Sequence, residues 1–247
     1  MKAYIGTSGW QYKHWNKRFF PADLAKEKWL NYLSTKFRSV EVNTSFYHMP
    51  KQSTFLKWKK ESAPGFVFTL KLYRLFTHIK RLKIDKEDEK ILTAFFENAL
   101  FLGNKLGAIL IQCPPSLKAD HQKVEGFLKV LKNISKKLKK RFKFAIEFRH
   151  KTWFVPETYE LFKKYDVAFV ITNSPEWPSK IIRTAGHVYM RFHGRTKLFA
   201  SNYTNKELGE WHKKLQNLKP KELFVYFNND ANAFAADNAL YLSELFG

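Results

Sequence analysis

Short runs rich in β-branched and aromatic residues recur along the chain, each followed by a polar loop and then a stretch whose apolar positions repeat with helical period. Eight such runs are present: Lys2 to Gly6, Ser39 to Asn43, Phe66 to Lys71, Gly107 to Gln112, Lys143 to Phe148, Val167 to Ile171, His187 to His193 and Glu222 to Phe227. Helical patterns lie between and after them at roughly 24–36, 53–60, 86–102, 120–140, 156–164, 204–217 and 234–246, whereas the connection from Thr172 to Gly186 carries none. Strands joined through helices run parallel, because a crossover of that length cannot be a hairpin, and a parallel sheet must be covered on both faces. Eight units in 247 residues predict an α/β fold of the TIM-like (β/α)8 barrel type. The competing doubly wound sheet lacks its signature: Gly6-Thr7-Ser8-Gly9-Trp10 follows the first run without a G-x-G-x-x-G. No linker or shift of composition divides the chain, so one domain over 1–247 is expected.

The pattern also places the ends of the predicted strands, and chemistry gathers there. Residues two apart on a strand share a face. Glu41 therefore lies with Asn43, Glu147 with Arg149, and Arg191 with His193. The third run ends in Lys71, the fourth in Gln112, and the eighth continues into Asn228-Asn229-Asp230. An unpaired carboxylate inside a barrel costs several kcal/mol or shifts its pKa, so a ring of polar residues at this level implies mutual pairing or a ligand. Glu41 and Glu147 are candidate general bases and His193 the candidate acid. Glu41, Glu147, His193 and Asp230, with His48 and His78 nearby in type, form an alternative divalent metal set. Lys71, Arg149 and Arg191 would repel a cation, however, and the usual ligand spacings are missing, so no cofactor is expected.

Charge sharpens this picture. The formal net charge is +22, which favours an anionic small molecule or a nucleic acid as partner. In a barrel the run Lys136-Lys137-Leu138-Lys139-Lys140-Arg141 falls at a helix end far from the mouth, where cations offset the helix dipole and aid solubility. Arg74, Arg81, Arg149, Arg191 and Arg195 instead fall at strand ends or in the loops that follow them, the side on which barrel sites lie. Their planar donor forks suit phosphate or carboxylate, the alternative being salt bridges to Glu41, Glu147 and Asp230. Asn43, Lys71, His78, Gln112, Asn228, Asn229 and Asp230 complete the candidate ligand-binding set, with Trp10 and Tyr47 as rings able to stack on a base or sugar. A layer of aromatic side chains capping the core is the structural alternative for Trp10 and its neighbours. The lone Cys113 reads as a buried small hydrophobe in a reducing, cytoplasmic setting. No apolar run has the length of a signal peptide or membrane span, so no membrane partner is expected. Oligomeric state is open.

Several motifs in fixed order resemble the family called domain of unknown function 72, or YecE-like. They are Gly6-Thr7-Ser8-Gly9-Trp10 with Tyr12 and Trp15, Val40-Glu41-Val42-Asn43-Thr44-Ser45-Phe46-Tyr47, Phe68-Thr69-Leu70-Lys71 with Thr77-His78, and Gln112-Cys113-Pro114-Pro115-Ser116. Glu147-Phe148-Arg149-His150 with Trp153, Arg191-Phe192-His193-Gly194-Arg195, and Tyr226-Phe227-Asn228-Asn229-Asp230 with Ala236 and Asn238-Ala239 follow. The resemblance implies a TIM-like barrel and brings no reaction with it. One departure is Thr172-Asn173-Ser174-Pro175, where the resemblance implies an Asp before the proline, so that a site carboxylate would here be an amide. Three functions fit the residues. The first is an enzyme acting by acid/base chemistry on a phosphate-bearing or otherwise anionic substrate, nucleic acid or nucleotide favoured, with phosphoester hydrolysis as one reaction. A non-catalytic nucleic-acid-binding module and a sugar-phosphate isomerase or lyase are the others.

Overall fold

The computed structural model describes residues 1–247. Its strands are β1 (Lys2–Ser8), β2 (Ser39–Val42), β3 (Val67–Lys71), β4 (Leu106–Gln112), β5 (Lys143–Glu147), β6 (Ala168–Phe169), β7 (Ile171–Asn173), β8 (His187–Phe192) and β9 (Glu222–Phe227). All ladders are parallel, in the order β6-β5-β4-β3-β2-β1-β9-β8-β7. The sheet is a nearly closed barrel. Strands β6 and β7 are two pieces of the sixth stave, parted at Val170, whose N–H still bonds Ile146 O of β5 at 3.0 Å. One continuous strand over Val167 to Ile171 was expected; instead the first piece pairs with β5 and the second with β8.

Helices at Trp29–Lys36, Gln52–Glu61, Lys86–Ala99, His121–Lys137, Pro156–Tyr165, Asn205–Asn217 and Phe234–Phe246 match the seven predicted, and the connection from β7 to β8 has none. The pattern missed two short turns of helix, Thr44–Tyr47 after β2 and Leu75–Ile79 after β3, because four or five residues are too few to show a period. Both lie at the mouth.

Helix starts are chemically marked. Asp85 accepts the N–H of Asp88 at 2.8 Å while the Asp88 carboxylate accepts the N–H of Asp85, a reciprocal cap on the helix that begins at Lys86. Asp85→Ala is expected to cost about 1 kcal/mol in urea unfolding; a change below roughly 0.3 kcal/mol would show the cap to be idle.

Alternation along the strands separates two cores. Outward residues such as Val40, Val42, Ile109, Ile111, Ile146 and Val225 join the helices in a core of 56 buried residues. Inward residues fill the barrel unevenly: Ala108, Ala145 and Ala168 on one side face Tyr189, Phe224 and Tyr226 on the other. The Tyr226 hydroxyl is satisfied by Ser39 Oγ at 2.5 Å and Thr69 Oγ1 at 2.7 Å. Close approach of β1 and β2 requires glycine at position 6, where a Cβ would stand 1.8 Å from Ser39 O. These layers form a floor under the polar groups at the C-terminal ends of the strands.

Candidate active site

Above that floor the strands deliver Ser8, Glu41, Lys71, Gln112, Glu147, Arg191 and His193 to the mouth, with the Tyr189 hydroxyl reaching up from the floor. Arg191 is its hub. Its Nε and Nη2 donate to the two oxygens of Glu41 at 3.0 and 2.7 Å, and its Nη1 donates to Glu147 Oε2 at 2.5 Å. Glu41 further accepts from Ser8 Oγ at 2.5 Å and from the Tyr189 hydroxyl at 2.6 Å. Glu147 accepts from Arg149 Nε at 2.7 Å. Both carboxylates are wholly buried and Arg191 is 1% exposed.

Burial by itself would raise both acids. Arg191, helped by Ser8 and Tyr189, outweighs it and holds Glu41 below the usual carboxylate range. Against the same burial, Arg191, Arg149 and His193 pull Glu147 well below it. These anions are held ionised by fixed partners, which makes them poor proton acceptors near neutrality and corrects their expected role as bases. Arg191 must be corrected too. Burial opposes its charge, but Glu41 and Glu147 strengthen it, and with Nε and both Nη groups engaged it has little left for a substrate anion.

His193 is buried beside this cluster. Its Nδ1 lies 3.3 Å from Asn228 Nδ2, and its Nε2 lies 3.5 Å from Arg191 Nη1 and 3.7 Å from Glu147 Oε2. Burial first and then the Arg191 charge lower its pKa to about 4. That shift favours the neutral imidazole near pH 7.

Lys71 behaves differently. Half-buried at the end of β3, its ammonium lies 4.2 Å from the Phe46 ring centre, and it forms no hydrogen bond or ion pair. Burial, followed by Arg191, lowers its pKa to about 7, although Glu41 and Glu147 oppose the shift. His78 stands edge-on to the Phe46 ring, 4.9 Å between ring centres, and shares a 2.9 Å hydrogen bond with Thr77 Oγ1. Its pKa falls to about 4, through burial and then the cations Lys71, Arg149, Arg74 and Arg81. The Arg149 guanidinium stacks 3.6 Å from Trp177, and only its Nε is used by Glu147. Trp177 in turn meets His193 edge-on at 5.1 Å.

Other expected residues fall elsewhere. Arg195 is exposed and pairs with Glu207 in an outer groove that also contains Asn173. Because Asn173 points outward, with its Oδ1 accepting from the Tyr203 hydroxyl at 2.7 Å, its amide is not a missing member of the Glu41 and Glu147 set. Asn229 is buried against Ser201 O and Asn238 Oδ1, a structural role. Asp230 lies beside His14 at 3.7 Å and stands apart from the carboxylate pair, which breaks up the alternative metal set; no three His, Cys, Asp or Glu side chains are arranged to hold a metal ion. Trp10 is buried edge-on against Trp58, as a capping layer would have it. Tyr47 is exposed and, with Tyr12 and Asn43, lines a cavity of about 240 Å³. Gln112 is buried at the mouth as the register partner of Glu147. Cys113 is wholly buried and its thiol pKa is raised by that burial and by Glu147, which makes it inert as a nucleophile.

Ser8 and Tyr189 escaped the sequence reading, although alternation with Glu41's neighbours and with Arg191 would have placed both inward. Trp177 offered no such signal, being in an irregular connection.

A family model described as protein of unknown function DUF72 matches residues 4–247. The chain belongs to the DUF72 family. UPF0759 protein YunF of Bacillus subtilis is similar at 28% identity, over 98% of this chain and 94% of that protein. YecE of Escherichia coli K12 is 23% identical over 61% of this chain and 50% of its own length. Among solved structures, a DUF72 protein from Thermotoga maritima covers 100% of this chain and 99% of its own at 29% identity, with a TM-score of 0.84. A second DUF72 protein, from Enterococcus faecalis, gives a TM-score of 0.82 at 21% identity over 98% of this chain and 94% of its own, a likeness of fold. The barrel predicted from alternation is thus the DUF72 fold. No helix in this DUF72 chain is long and apolar enough to cross a membrane.

Proposed function

We propose that the protein is an enzyme that binds a phosphate-bearing small molecule at the barrel mouth and moves protons on it. The observation that carries this reading is the contrast between two sets of charges. Glu41, Arg191 and Glu147 satisfy one another in the interior, while Lys71 has no partner and Arg149 keeps both Nη groups free of carboxylates. The buried set orients the rest, and the mouth cations receive the anion. A lysine poised at about 7 is suited to giving and taking a proton near neutral pH.

A small ligand is favoured over nucleic acid because the basic runs far from the mouth are partly neutralised in place. Arg141 pairs with Asp166 at 2.6 Å and Lys164 with Glu125 at 2.7 Å. A solvent-exposed phosphate track on a nucleic acid would also make binding steeply salt-dependent. Calorimetric titration with inorganic phosphate and pyrophosphate tests the reading. Binding should weaken about tenfold in Arg149→Met and in Lys71→Met, the scale of one lost charge-assisted contact, and should change little between low and physiological salt. Absence of binding at millimolar anion, or binding by both variants as tight as that of the wild type, would refute it.

A further inference from the structure

Lys71 is the feature that proton transfer alone explains least. Cationic side chains close to buried carboxylates ordinarily pair with them, as the guanidinium groups of Arg149 and Arg191 do here. Lys71 instead rests on Phe46, with neither Glu41 nor Glu147 within 4.0 Å. Arg191 occupies the carboxylates and supplies a fixed positive charge beneath it. A primary amine held on an apolar ring, next to buried cations and at the open end of a barrel, is arranged as a nucleophile more than as a counter-ion.

We infer that Lys71 attacks the carbonyl carbon of a phosphorylated aldehyde or ketone and forms an imine with it. The inference rests on the anion-binding reading above and names the substrate class for the same site. The neutral amine adds to the C=O bond, a proton passes from nitrogen to oxygen, and the resulting carbinolamine loses water. One C–N double bond replaces one C–O double bond, with no oxidant or reductant. The imine nitrogen then takes up one proton from solvent, and the cation so formed lies near Glu41 and Glu147, which Arg191 and Arg149 hold ionised. Arg149 on Trp177 is placed to hold the phosphate.

Reductive trapping tests this. The full chain is incubated at pH 7 with substoichiometric pyridoxal 5′-phosphate, used only as an aldehyde bearing a phosphate, then reduced with borohydride, digested and mapped by mass spectrometry. A lysine at its ordinary pKa is neutral to roughly one part in two thousand at pH 7, so Lys71 should take label at least about tenfold faster than any other lysine. Pyridoxal without phosphate should label it about tenfold less, and Arg149→Met should erase that difference. Lys71→Met, similar in volume and checked by thermal melting, should lose the fast phase alone.

Label spread over exposed lysines and unchanged by Lys71→Met would overturn the inference. Should inorganic phosphate still bind in that case, the anion-binding reading survives by itself; should it not bind, both fail. Fast labelling of Lys71 that is indifferent to the phosphate would remove the phosphorylated substrate class and the role of Arg149.

Discussion

Replacement of Arg191 by Met should destabilise the protein by about 3–5 kcal/mol at pH 7, the scale measured when one partner of a buried ion pair is removed. Methionine restores most of the volume but none of the three donor nitrogens that reach Glu41 and Glu147. Two carboxylates with no exposure would then depend on Ser8, Tyr189 and Arg149 alone. Neutralising one of them in the same molecule, as in Arg191→Met with Glu41→Gln, should recover part of the loss, with a coupling of about 1–3 kcal/mol between the two sites. Arg195→Met provides the contrast: its pair with Glu207 is 63% exposed on the arginine side, and exposed pairs contribute about 0–1 kcal/mol. Urea unfolding of the three variants checks the ordering. A deficit below about 1 kcal/mol for Arg191→Met would mean that the cluster does not hold the top of the barrel together.

That ordering also explains what was legible in the sequence. Period-two alternation was enough to put Glu147 with Arg149 and Arg191 with His193, and both pairs meet, the first at 2.7 Å and the second at 3.5 Å. The same rule filled the barrel and set its strand count, because a parallel sheet buried on both faces leaves little freedom in register. The sequence could not say which arginines are already satisfied. Arg149 and Arg191 are both two residues from another site residue, yet one is enclosed by two acids and the other lies against Trp177, a residue 28 positions onward in an irregular connection. Nor could it foresee that Asn229 turns inward to Asn238 while Asn228 turns to His193, since an Asn-Asn-Asp turn has no period. Roles were misassigned where they depend on environment: a glutamate is a base or a fixed counter-ion according to what surrounds it.

Because the surroundings set those roles, the pH dependence of stability should carry their signature. Glu41, Glu147, His193 and Lys71 each bind a proton less readily in the folded chain than in the unfolded one, so their contribution to stability should rise with pH over each window. Glu41 and Glu147 sit below the ordinary 4.5, so their contribution is present above that pH and is lost as pH falls through their lowered values. His193 moves from 6.5 to about 4, and unfolding gains a proton between those limits. Lys71 moves from 10.5 to about 7, which places a further rise between neutral and alkaline pH. One unit of displacement corresponds to about 1.4 kcal/mol, so even half of the His193 shift would tilt the curve by about 2 kcal/mol between pH 4 and 6.5. Chemical denaturation across pH 4–10 should therefore give a rising profile in the wild type. Lys71→Met should flatten it above pH 7 and leave the acid limb, and His193→Gln should reduce the rise between 4 and 6.5, to which His78 also contributes, while leaving the alkaline limb. A profile that peaks near neutrality, or that both substitutions leave unaltered, would show that neither group is desolvated at the mouth and would remove the physical basis for a reactive Lys71.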